Sequence, residues 1–87
     1  MKLASNKELY EYLLTLSATL KSRKCERLSQ LLTSASGHAA GMSTEFLGES
    51  RIALREVSRE QDSALTREEQ GHLLEVLAQL DAALDRR

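Results

Sequence analysis

The chain has no proline and no tryptophan, a single cysteine, and only three aromatic residues among 87: Tyr10, Tyr12 and Phe46. Each shortage excludes something. Without proline, no position is barred from helix. Sparse β-branched residues, beside plentiful leucine, alanine, glutamate and arginine, argue against a sheet. Cys25 stands alone, so no intramolecular disulfide forms; it reads as a small, half-buried apolar residue in a reducing compartment rather than as a nucleophile. With so few rings, the core has to be built from leucine and alanine. No apolar run approaches the roughly 20 residues of a membrane crossing. The opening Met-Lys-Leu-Ala-Ser-Asn-Lys turns polar before a signal sequence can develop. The expectation is a cytoplasmic protein with no membrane partner.

What is present is the material of one small domain. Apolar residues make up 41% and charged residues 29% of the chain, which separates it from disordered tails. The net charge of −1 is unevenly spread. All four lysines lie at or before position 24, and residues 44–87 carry ten acidic against six basic side chains. Such polarity favours self-pairing.

Periodicity supplies the helices. Ser5-Asn6-Lys7-Glu8 fits a capping box, after which Leu9, Leu13, Leu16 and Leu20 line one helix face, flanked by Tyr10, Tyr12 and Leu14. Lys21-Ser22-Arg23-Lys24 interrupts this seam, and a break near Ser22 is favoured over one helix running from 6 to 36. Leu28, Leu31, Leu32 and Ala35 resume the spacing. Gly37 stands where a left-handed C-cap belongs, Gly41 adds a second flexible point, and Ser43 or Thr44 caps the next helix. That helix has a less regular apolar side of Phe46, Leu47, Ala53, Leu54 and Val57. Thr66-Arg67-Glu68-Glu69 is a second capping box, and Leu73, Leu77, Leu80 and Leu84 form a second seam. The expected helices are 6–21, 24–36, 44–60 and 67–85. The predicted fold is all-α, a small antiparallel bundle of three or four helices in one domain.

Candidate sites follow from what the core does not use. Gly37-His38-Ala39-Ala40-Gly41-Met42 has glycines as a phosphate loop does. However, it lacks the glycine spacing, the lysine and the preceding strand of such a loop, so it reads as a turn. Glu69 and His72 form one E-x-x-H pair of the two that a di-metal set needs; a homodimer would supply the second, with Glu45 or Glu49 completing the set, although Glu69 is already committed to the cap. His38 reads as a solvated turn residue. Arg51, Arg55 and Arg59 stack along one ridge, where guanidinium forks suit carboxylates or phosphates, and Glu56–Arg59 is spaced for an ion pair. Lys21, Arg23, Lys24 and Arg27 form the densest basic cluster, the segment 21–27 that a nucleic-acid binder would use. Leu32, Phe46, Leu47, Ile52 and Leu74 fall partly off the core stripes and are expected at a helix-face interface.

No nucleophile–base pair is evident, so no catalytic residue, cofactor or metal ligand is assigned. The favoured reading is a small regulatory, adaptor or chaperone-like protein that binds another protein, most simply itself as a homodimer. The alternative is a nucleic-acid-binding regulator using residues 21–27, and a di-metal bundle is less favoured.

Overall fold

The computed structural model describes residues 6–39, 43–60 and 65–85, with only the backbone of Ser43. It is all-α: α1 (Asn6–Ser22), α2 (Glu26–Ser36), α3 (Ser43–Glu60) and α4 (Arg67–Asp85), with no strand among the described residues. The expected capping by Ser5 and the turn at Gly41 lie outside those residues, as does the Ser43 side chain. Among the described residues, no helix is long and apolar enough to cross a membrane.

The break between α1 and α2 is made by backbone geometry. Lys24 is the one non-glycine residue described with positive φ, at 67°. Around it, the Cys25 amide donates to the Leu20 carbonyl at 2.8 Å and the Lys24 amide to the Lys21 carbonyl at 3.1 Å. This pair of bonds is a Schellman motif, and it satisfies two carbonyls that would otherwise be left over at the end of α1. The motif normally places glycine at the left-handed position; here a lysine occupies it.

Gly37 corrects the corresponding expectation for α2. It is right-handed, with φ −63° and ψ −17°, and its amide donates to the carbonyls of Thr33 and Ser34, each at 3.2 Å. No described glycine has positive φ. The last turn of α2 simply tightens into the connection, as helix ends often do.

At α4 the reciprocal cap forms as the sequence predicts. The Thr66 amide donates to Glu69 Oε1 at 2.9 Å, and the Glu69 amide donates to Thr66 Oγ1 at 3.2 Å. Two donors at the helix start are thereby satisfied.

Both leucine seams turn inward. Leu9, Leu13, Leu16 and Leu20 of α1 and Leu73, Leu77 and Leu80 of α4 join Leu28, Leu32, Phe46, Leu54, Val57 and Val76 in one buried cluster. Each fully buried leucine stabilises the fold by about 1.5–3 kcal/mol relative to exposure. Between α1 and α2 the packing is polar and close: Ser17 Oγ donates to the Ser29 carbonyl at 2.9 Å and lies 2.9 Å from Thr33 Oγ1. Small hydroxyl side chains let the two helices approach while satisfying one another.

Two side-chain contacts join α2 to α3. Arg27, early in α2, meets Glu60 at the end of α3, whereas His38, just after α2, meets Glu45 in the first turn of α3 at 3.0 Å. Residue numbers therefore rise along one helix as they fall along the other.

Candidate protein-interaction face

The exposed side of α3 and α4 is the part of the molecule that the core does not account for. On α3, Gly48, Ile52, Arg55 and Arg59 recur at i, i+4, i+7 and i+11, so they form one stripe. On α4, Gly71, Leu74, Ala78, Asp81 and Asp85 do the same with spacings of three and four. The two stripes adjoin: Arg51 Nη1 lies 3.3 Å and Arg55 Nη2 3.1 Å from the same Asp81 Oδ1. Two guanidinium groups thus share one carboxylate oxygen. Arg59 turns instead to Glu56, at 2.8 Å, forming the i,i+3 pair the sequence predicts. Arg55 remains 53% and Arg59 74% exposed, so these pairs stay open to solvent and contribute little stability by themselves. Arg51 Nε is buried without a hydrogen-bond partner among the described residues.

Ile52 and Leu74 are 59% and 54% exposed, the most exposed of the large apolar side chains described. Gly48 and Gly71 belong to the same surface. A glycine inside a helix costs about 1 kcal/mol relative to alanine. A Cβ added at either position would meet no atom within 4 Å, and neither residue has positive φ. Nothing described within the chain requires a glycine at these positions.

Three of the five apolar interface candidates need correction. Leu32 and Phe46 are fully buried, and Leu47 is half-buried against the core. The helix that seemed irregular in sequence turns a broader side inward, because α3 packs against both α2 and α4. Leu32 lies on the α2 ridge that faces the core with Leu28 and Ala35.

The basic segment is divided. Arg23 grips Glu69 with both terminal nitrogens, at 2.5 and 3.1 Å, and Arg27 pairs with Glu60. Lys21 and Lys24 are exposed. Two of the four cations in 21–27 thus already have carboxylate partners, which lowers the positive potential a phosphate backbone would meet.

Glu69 serves Arg23 and the α4 cap together. These hydrogen bonds, with Arg23 foremost, lower its pKa to about 2. Tyr12 lies beside it in a shallow depression lined also by Leu16 and His72. Burial, and then the Glu69 charge, raises the Tyr12 pKa to about 12. Glu45 and Glu49 flank His38 at 3.0 and 3.7 Å. The E-x-x-H carboxylate is therefore engaged by a guanidinium. Among the described residues, no group of three or more His, Cys, Asp or Glu side chains is placed to hold a metal ion.

Sequence reasoning missed Asp81, which joins the arginine ridge to α4.

No family model, curated protein or solved structure matches this chain.

Proposed function

We propose that the chain is a small protein-binding module, regulatory, adaptor or chaperone-like, that acts through helix-face contacts and most simply binds a second copy of itself. A cytoplasmic location, in keeping with the lone Cys25, is part of the proposal. The observation that carries it is the exposure of two large apolar side chains, Ile52 on α3 and Leu74 on α4. Single exposed apolar residues are ordinary on protein surfaces. Two of them on neighbouring helices, with the Arg55–Asp81 contact joining those helices, offer the mixture of apolar and polar groups that a protein interface uses. The nucleic-acid alternative draws on Lys21, Arg23, Lys24 and Arg27, and it is weakened by the engagement of Arg23 and Arg27 with carboxylates.

The test compares variants of the two surfaces in any complex the protein forms. Leu74→Glu and Ile52→Glu are expected to abolish protein binding, with Lys21→Ala and Lys24→Ala close to neutral. Binding that instead follows the lysines and falls steeply with salt would transfer the function to nucleic acid.

A further inference from the structure

We infer that the edge between α1 and α4 is where this bundle opens, and that Arg23 and Glu69 form the clasp that keeps it shut. The inference is independent of the protein-binding reading, because Ile52 and Leu74 both belong to the α3–α4 pair and move with it.

Helix proximity singles out this edge. α1 packs on α2, α2 on α3 and α3 on α4, whereas among the described residues α1 and α4 make little close backbone approach. The α1–α2 contact is drawn tight by the hydroxyls of Ser17, Ser29 and Thr33. Arg27–Glu60 joins α2 to α3, and Arg51 and Arg55 tie α3 to Asp81 of α4. The four helices therefore form a row folded round on itself, and its first and last members meet through side chains. Along that edge lies the shallow depression beside Tyr12, about 270 Å³ in volume, with Tyr12, Thr15, Leu16 and Thr19 on α1 facing Glu69 and His72 on α4. Leu16 belongs to the buried cluster as well, so the core reaches the edge here.

The clasp sits on the same depression. Arg23 grips Glu69 with both terminal nitrogens, and a two-pronged arginine–carboxylate pair is the kind of surface ion pair whose geometry makes it count. Each half is anchored at a helix end. Arg23 stands one residue before left-handed Lys24, in the turn that closes α1. Glu69 is held by its reciprocal cap with Thr66 at the start of α4. When the pair parts, α1 swings from α4 with the α2–α3 and α3–α4 contacts intact, and Leu16 is bared.

Thiol accessibility tests this in the full chain. In a Cys25→Ser background, Leu16→Cys reports the edge, and Ala53→Cys reports α3; the two positions are 6% and 4% exposed. Reaction with an aromatic disulfide reagent under native conditions reads the opening at each. Arg23→Ala and Glu69→Gln should each speed the position-16 thiol roughly 3- to 5-fold and leave the position-53 thiol unchanged. Glutamine still accepts from the Thr66 amide, so the cap survives. Both substitutions together should add nothing beyond either alone, since they break one contact. Methyl relaxation dispersion at Leu16, without any cysteine reporter, covers the case in which Leu16→Cys fails to fold; exchange at Leu16 should grow in Glu69→Gln. Equal acceleration of both thiols reports a global loss of stability and overturns the inference. So does a position-16 thiol, or a Leu16 methyl, indifferent to Glu69→Gln.

Discussion

Lys24 holds a conformation that costs an L-residue about 1–2 kcal/mol, because its Cβ crowds the following carbonyl in the left-handed region. It is held there by the Cys25–Leu20 and Lys24–Lys21 backbone bonds that close α1. Replacing Lys24 with glycine removes the crowding and keeps both bonds. Glycine also gives the unfolded chain more freedom, which takes back about 0.5–1 kcal/mol. The expected net gain is about 0.5–1 kcal/mol. In a chain of this size that raises the unfolding midpoint by roughly 2–8 °C. Thermal unfolding followed by far-UV circular dichroism reads the shift, with Lys24→Ala as the control, since alanine retains the Cβ and should show no such gain. A Lys24→Gly variant no more stable than wild type, or a Lys24→Ala variant equally stabilised, would refute the claim that left-handed strain resides at this turn.

Three further outcomes follow from burial and charge. Ser50 is fully buried and its Oγ has no hydrogen-bond partner among the described residues, so Ser50→Ala should stabilise the fold by about 1 kcal/mol in denaturant titration. Leu13, completely buried at the centre of the α1 seam, should lose about 2–5 kcal/mol on Leu13→Ala, a large part of the stability of a small domain. Glu69 has a folded pKa of about 2, below its ordinary 4.5. Its contribution is therefore complete above the unfolded value and is lost as pH falls from about 4.5 towards 2. Arg23→Ala should move the Glu69 titration, followed by NMR, back towards the ordinary carboxylate range.

The helices were legible in local features. The leucine spacing of α1 carries over whole into the core, and that of α4 does so through Leu80, with Leu84 only half-buried; Thr66 and Glu69 cap each other because all the parts of a capping box lie within four residues. The break near Ser22 was legible as a polar interruption, but its mechanism was not. A left-handed lysine has no composition signal, and Gly37 drew the expectation that Lys24 fulfils. Long-range pairing was equally hidden. Arg23–Glu69 and Arg27–Glu60 join residues 46 and 33 positions apart, and no periodicity reports which ridges will meet. Leu32 and Phe46 were assigned to the surface for a related reason. A helix packed on two sides buries a wider arc than a single stripe, and only the neighbouring helices define that arc. The exposed pair Ile52 and Leu74 was legible because each falls off its own helix's core stripe.

Native mass spectrometry of the wild-type chain beside Leu74→Glu tests the central claim most directly. Self-association through the α3–α4 face predicts a wild-type species at twice the 9.7 kDa of the chain and a folded, monomeric Leu74→Glu. Two monomers, or two dimers of equal stability, would contradict it.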